Sequence, residues 1–322
     1  MKKIAVFTSG GDAPGMNACV RAVVRTALNK GLSVCGIMRG YEGMIDGEFI
    51  EMNSRSVSNI IQLGGTILQS ARSERFRTKE GRAQAFANLQ KAGIDGIVAI
   101  GGDGTFTGAH IFMQEYDIPF IGIPGTIDND LYGTDFTIGY DTAINTAMNA
   151  IDNIKDTANA HNRLFFVEVM GRDAGFIALR AGIATGAEAV LVPETKTNID
   201  ELMDMLEENY KKKKRASIIV VAEGDDGGGA FEIANQVKAR TDNFDIRVTV
   251  LGHLQRGGRP TCMERVLASR LGLESVRALL DGKRSVMVGQ VHKDIVYTPF
   301  DNAIKHNDQL NPVLMEMVEI LS

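Results

Sequence analysis

Pro124-Gly125-Thr126-Ile127-Asp128-Asn129-Asp130 sets two carboxylates two residues apart, just after the apolar run from Ile118 to Ile123, which reads as a buried strand. On an extended backbone the two carboxylates face the same side. One can then take a proton from a hydroxyl while the other holds a divalent cation or orders the loop. The same residues also suit a turn and a helix start, because Asp and Asn side chains bond nearby backbone N–H groups. Repetition decides between the readings. Ser9-Gly10-Gly11-Asp12-Ala13-Pro14-Gly15 follows a strand pattern at Ile4 to Thr8, and Gly101-Gly102-Asp103-Gly104-Thr105 follows another at Gly96 to Ile100. Three glycine-flanked aspartates therefore fall at the C-terminal ends of three presumed parallel strands, the edge where open α/β sheets bind ligands. Helix N-termini and glycine N–H groups at that edge form anion sites.

Further candidates at presumed strand ends are Arg72, Arg163, Arg172, Glu223, Arg247, His253 and Arg256. No G-x-S-x-G elbow, no G-x-x-x-x-G-K-[ST] loop and no Cys/His cluster occurs. Many arginines with glycine turns and a few carboxylates suit phosphoryl transfer. That reaction needs a positioned phosphoryl group with neutralised charge, a carboxylate for the acceptor hydroxyl and another for Mg²⁺. The number of arginines suggests that both substrates carry phosphate. Each arginine has a plainer reading as a solvated surface side chain, and the basic run Lys211 to Arg215 reads first as a solvated helix end set against its negative dipole, with an anion site as the alternative.

The elements that must hold these residues alternate regularly. Helices are expected at Met16 to Asn29, Val57 to Leu63, Gly81 to Lys91, from Phe106, Asp141 to Asn159, Ile199 to Tyr210, up to Arg240, Cys262 to Leu280 and Val313 to Leu321. Strands are expected at Ser33 to Met38, Arg163 to Met170, Ala189 to Val192, Ser217 to Ala222 and Arg247 to Leu251. A closing hairpin is expected at Val286 to Val291 with Ile295 to Thr298. Gly40 to Gly43 reads as loop. The pattern predicts parallel sheets covered on both faces by helices, in two closely joined lobes.

With 322 residues, two domains are the natural expectation. A net charge of −5 argues against a nucleic-acid protein held by a broad basic surface. Cys19, Cys35 and Cys262 are too few and too scattered for a disulfide framework or a zinc site. Lys2-Lys3 runs straight into a strand, and no apolar stretch reaches the roughly 18 residues of a membrane span. A soluble cytoplasmic protein without nucleic-acid or membrane partners is expected.

Five motifs together resemble the bacterial ATP-dependent 6-phosphofructokinases. They are Ile4-x-x-x-Thr8-Ser9-Gly10-Gly11-Asp12-Ala13-Pro14-Gly15-Met16-Asn17, Gly101 to Thr105, Pro124 to Asp130, Glu168-Val169-Met170-Gly171-Arg172 and Leu251-Gly252-His253-x-Gln255-Arg256-Gly257-Gly258. They cover essentially the whole chain in order. The resemblance implies two Rossmann-like three-layer lobes with mainly parallel sheets and an active site in the cleft between them. The larger ATP lobe would comprise 1–139 with 253–302, and the smaller sugar-phosphate lobe 140–252 with 303–322. The implied reaction phosphorylates the C1 hydroxyl of fructose 6-phosphate with MgATP, the committed step of glycolysis. Asp128 would be the base, Asp103 would help hold Mg²⁺, and Asp130 would lie close to both. Arg172, the Gly11 N–H and Thr126 would meet the moving phosphoryl group. Tyr41, Arg72, Ser73 and Gly102, Asp103, Gly104 and Thr105 would line the nucleotide site. Ile127, Met170, Gly171, Glu223, His253, Leu254, Gln255 and Arg256 would hold the sugar phosphate, with Arg163 and Arg247 reaching it from a neighbouring subunit of a homotetramer.

Pyrophosphate-dependent relatives tend to carry Asp in place of Gly104 and Lys in place of Gly125, so the two glycines imply ATP as donor. The family also has an effector site for ADP or GDP as activator and phosphoenolpyruvate as inhibitor. The matching positions are Arg21, Ala22, Val23, Val24, Arg25, Arg55, Ser56, Val57, Ser58, Asn59, Ile60, Lys155, Gly186, Ala187, Glu188, Lys212, Lys214, Arg215 and Ala216. Lys155 stands where an arginine is usual, and lysine offers no bidentate fork. Ser73-Glu74-Arg75-Phe76 also departs from the common Pro-Glu-Phe form. The alternatives are a pyrophosphate-dependent or other sugar-phosphate kinase, or a nucleotide-sensing homologue without turnover.

Overall fold

The computed structural model describes residues 1–161, 163–212, 217–306 and 309–321. The chain runs β1 (Lys3–Thr8), α1 (Met16–Asn29), β2 (Ser33–Ile37), α2 (Gly40–Asp46), β3 (Phe49–Met52), α3 (Lys79–Lys91), β4 (Gly96–Gly101), α4 (Asp103–Glu115), β5 (Phe120–Thr126), β6 (Ile138–Gly139) and α5 (Tyr140–His161). It continues through β7 (Arg163–Val169), α6 (Phe176–Thr185), β8 (Ala189–Leu191), α7 (Ile199–Lys211), β9 (Ser217–Ala222), α8 (Ala230–Lys238) and β10 (Asp245–Val250). The last elements are α9 (Cys262–Leu280), β11 (Val286–Val291), β12 (Asp294–Pro299), α10 (Phe300–Ala303) and α11 (Pro312–Leu321). Two compact units result, Met1–Thr142 with Arg256–Asn307, and Ala143–Gln255 with Asp308–Ser322.

The first unit is built on a sheet of order β12-β11-β5-β4-β1-β2-β3, with β6 beside β5. Its inner strands are parallel, and β3 and β12 close the two edges antiparallel. Strand β4 is buried at every position, as expected of a strand covered on both faces. Register sets the functional edge: Thr8 pairs with Ile100 and Gly101 with Pro124, so β1, β4 and β5 end side by side. An aromatic core of Phe7, Tyr41, Phe76, Phe106, Phe112, Phe120 and Phe300 supports this sheet. Helix α9 lies close on α1, where an added Cβ at Gly272 would come within 2.8 Å of Cys19 O.

The second unit carries a wholly parallel sheet, β10-β7-β9-β8. Every residue of β9 is buried. Its core includes Leu164, Phe166, Leu202, Leu206, Ile219, Val221 and Ile233.

Two expected local conformations are not found in the region between β2 and α3. Gly40 to Gly43 opens α2 instead of forming a loop. Its glycines are demanded by close approach, since a Cβ on Gly40 would sit 2.9 Å from Thr8 O and one on Gly43 would overlap Met38 O. Val57 to Leu63 is a run of turns, not a helix. Asn53 Oδ1 accepts from the N–H groups of Arg55 and Ser56, and Asn59 adopts φ 55°, so side chains and a left-handed residue take over the local backbone. Buried Val57 and Ile60 only mimic a helical period.

Candidate active site

In the first unit, the three strand ends are tied to one another. Ser9 N–H donates to Ile100 O at 2.9 Å, and a Cβ on Gly101 would overlap Thr105 Oγ1 and reach Ser9 O at 2.8 Å. Gly10 and Gly15 take φ of 81° and 105°, and Gly15 caps the N-terminus of α1. Arg256 lies over this loop: its Nη1 donates to Asp12 O at 3.3 Å and would be 2.5 Å from a Cβ at Gly11. Asp103 sits in the first turn of α4, where the helix dipole favours a carboxylate.

At the end of β5, Thr126 Oγ1 accepts from Asp128 N–H and donates to Asp128 Oδ2, both at 3.2 Å. The backbone beyond is not extended. Asn129 takes φ 57°, so the simple alternation that would aim Asp128 and Asp130 to one side does not apply. The bend is held by Asn129 Oδ1 accepting from Thr137 N–H at 2.7 Å, and by Asn129 Nδ2 donating to Asp135 O at 3.1 Å. Asp128 and Asp130 are both buried. Ile127 is fully buried, so its side chain belongs to the core.

His306 joins this cluster, and the sequence reading missed it. A β-bridge pairs its backbone with Leu131. Its Nδ1 lies 3.2 Å from Asp130 Oδ2 and its Nε2 lies 3.7 Å from Asp103 Oδ2.

Tyr41, placed by the resemblance at the nucleotide site, is buried. It stacks on Phe76 at 3.9 Å and its hydroxyl donates to Thr105 O, so it supports the β4–α4 turn from behind. Arg72 is exposed. Ser73 donates to Glu42 and accepts from Phe76 N–H, while Arg75 is engaged by Glu42 and Asp46. A Cβ at Gly104 would meet nothing within 4 Å, whereas one at Gly125 would lie 3.0 Å from Ile100 and 3.2 Å from Met16.

In the second unit, the turn after β7 is shaped by two side chains. Gln255 Oε1 accepts from Met170 N–H at 2.8 Å. Glu223 Oε1 accepts from Gly171 N–H at 3.2 Å and from Arg172 N–H at 2.7 Å. Arg172 takes φ 56°, a left-handed conformation that costs a non-glycine residue about 1–2 kcal/mol and that the Glu223 bonds sustain. Arg163 and Arg247 both pair with Asp245, at 2.8 and 2.9 Å. His253 and Leu254 are exposed, and Gln255 is fully buried.

The residues matched to an effector divide between the units. Arg21 and Arg25 are the polar residues of their stretch, since Val23 and Val24 are fully buried, as is Val57 in the next stretch. Those three valine side chains pack in the core. In the second unit Lys155 Nζ donates to Thr185 O at 2.7 Å and to Gly186 O at 3.2 Å, capping the C-terminal end of α6. Lys212 pairs with Glu208. Lys214, Arg215 and Ala216 lie outside the described residues.

The donors in the first unit suit Mg²⁺. Asp103 and Asp130 offer hard carboxylate oxygens, and among the described residues no group of three His, Cys, Asp or Glu side chains forms a metal cage. An ion completed by substrate phosphates needs only one or two such carboxylates.

Strand ends carrying glycine turns, aspartates and arginines define an α/β protein equipped for phosphate-bearing ligands. The chain belongs to the phosphofructokinase family, whose model matches residues 3–279. It is 56% identical over 321 residues to ATP-dependent 6-phosphofructokinase 2 of Bacteroides thetaiotaomicron, covering 100% of this chain and 98% of that protein. It is 54% identical to ATP-dependent 6-phosphofructokinase 1 of Thermus thermophilus, covering 100% of both. Phosphofructokinase from Saccharomyces cerevisiae superposes with a TM-score of 0.90 at 38% identity, over 95% of this chain and 45% of the yeast chain.

Proposed function

We propose that this protein transfers the terminal phosphoryl group of ATP to the C1 hydroxyl of fructose 6-phosphate, giving fructose 1,6-bisphosphate and ADP. The observation that carries the reading is Asp128, buried at the end of β5 and held by Thr126, beside the two glycine turns of β1 and β4. Relatives covering the full chain and named ATP-dependent 6-phosphofructokinase support it.

Asp128 takes the proton of the C1 hydroxyl, and Thr126 fixes the carboxylate that receives it. The Gly11 N–H and Arg172 stabilise charge on the transferred group. Asp103 and Asp130 would hold Mg²⁺ together with the nucleotide phosphates, and the ion would neutralise phosphate charge. His253 and Arg256 take the sugar phosphate, Arg163 and Arg247 reach it from a neighbouring subunit, and Met170 and Glu223 hold the sugar. The open space at Gly104 favours a nucleotide donor. Homotetramer formation and effector control by ADP, GDP or phosphoenolpyruvate belong to the same proposal.

The test is product formation by purified protein with fructose 6-phosphate and Mg²⁺, comparing ATP with pyrophosphate. Fructose 1,6-bisphosphate made with ATP alone supports the assignment. Turnover with pyrophosphate refutes the donor argument, and silence with both refutes the acceptor or the activity itself.

A further inference from the structure

We infer that His306 is a positioning residue for the carboxylate pair Asp130 and Asp103. The inference rests on the proposed reading that these two carboxylates hold the divalent cation.

A carboxylate can only accept, so the 3.2 Å contact is a hydrogen bond from His306 Nδ1 to Asp130 Oδ2. The other ring nitrogen lies 3.7 Å from Asp103 Oδ2, so one imidazole spans the side chains of two separate strand ends. Its backbone is pinned by the bridge to Leu131, the residue after Asp130. The bridge fixes the backbone of His306 beside the Asp130 loop, which keeps the ring within reach of both carboxylates. Exposure divides the roles: the Asp130 side chain is 9% exposed, whereas that of His306 is 53% exposed. The carboxylate is set in the protein and the imidazole closes over it from the solvent side. A carboxylate ligand gains affinity when a partner fixes its orientation, and loss of such a partner typically costs about 10–100-fold in metal affinity.

The experiment measures Mn²⁺ affinity by electron paramagnetic resonance, with ADP present, in wild type, His306→Ala, His306→Asn, His306→Gln and Asp130→Asn. Mg²⁺ dependence of turnover and thermal stability without metal are measured alongside. Because the ring is half-exposed, His306→Ala is expected to keep its melting temperature. It should weaken Mn²⁺ binding about 10-fold or more and raise the Mg²⁺ requirement equally, with the fructose 6-phosphate KM unchanged. Asn carries a donor at the position of Nδ1 and should restore most of the affinity; Gln, whose donor lies one carbon further out, should not. Mn²⁺ affinity within about 2-fold of wild type in His306→Ala, with Asp130→Asn impaired, overturns the inference alone. Unchanged affinity in both variants overturns the metal assignment and the inference with it. A uniform loss of stability, metal affinity and sugar-phosphate affinity in all three His306 variants marks a merely structural residue, which also refutes it.

Discussion

Glu264 should make the stability of this fold fall as pH rises through neutrality. It lies in the first turn of α9, fully buried, with Thr261 Oγ1 accepting from its N–H at 3.1 Å. Its Oε2 accepts from the Thr142 N–H and the Thr142 hydroxyl, each at 3.1 Å, while Oε1 has no hydrogen-bond partner among the described residues. Burial raises its carboxyl from 4.5 to about 7, and Asp141 adds repulsion, against backbone bonds from Gly139 and Thr142 and the Thr142 hydroxyl that lower it. The native protein therefore binds this proton more tightly than the unfolded chain. The resulting stability is fully present below pH 4.5 and is lost as pH rises through about 7. The whole shift corresponds to about 3 kcal/mol, of which about 2 kcal/mol falls between roughly pH 5.5 and 8.5.

Glu264→Gln cannot lose a proton, so it should gain stability relative to wild type by that amount over the same range, whatever its offset at low pH. The chain has no Trp, so urea unfolding is followed by far-UV circular dichroism rather than tryptophan fluorescence. In melting temperature, the gain corresponds to about 4–8 °C for a unit of this size. Parallel stability curves for wild type and Glu264→Gln from pH 5.5 to 8.5 would refute the reasoning.

Three further substitutions probe the site. Asp128→Asn should leave the melting temperature near wild type and lower kcat about 10²- to 10⁴-fold, and near-normal turnover would sink its assignment as the base. Gly224→Ala puts a Cβ into Arg172 O and within 3.2 Å of Asp173 Cα, so the Arg172 turn must shift. The expected cost is about 1–3 kcal/mol in unfolding, with a lower kcat/KM; unchanged values of both would contradict the rigidity of that turn. Arg256→Ala should chiefly raise the fructose 6-phosphate KM in steady-state kinetics, and a change confined to the ATP KM would contradict its role.

What the sequence revealed depended on whether a residue's environment is local. The strands β4 and β9 are continuous apolar runs, and their burial follows from composition. The glycine turns announce themselves because β1 and β4 must bend sharply into helices. Failures came where distant contacts decide. Gly40 and Gly43 resemble loop residues until Thr8 O and Met38 O are seen against them. The short edge strand β3 has no strong period of its own and exists because β2 pairs with it. The burial of Val23 and Val24 was legible, since Val20, Val23, Val24 and Ala27 form a helical apolar stripe. His306 carried no comparable signal. It is a lone histidine 176 residues from Asp130, brought there by tertiary packing and the bridge to Leu131.

The two glycines that argue for ATP do so for different reasons, which makes donor choice testable in parts. At Gly104 a side chain has open space, so Asp can be introduced without strain and acts only through its charge and bulk on a nucleotide. At Gly125 a Cβ already crowds Ile100 at 3.0 Å, Met16 at 3.2 Å and the Gly101 N at 3.3 Å. Lysine there must displace the packing beneath the β1 and β4 turns before its ammonium can reach any phosphate. Gly104→Asp alone should therefore raise the ATP KM with an unchanged melting temperature. Gly104→Asp with Gly125→Lys should lose ATP-dependent turnover and melt at a lower temperature, without gaining use of pyrophosphate. A double variant that turns over pyrophosphate while melting like wild type would show that the contacts around Gly125 yield freely, and that charge alone selects the donor.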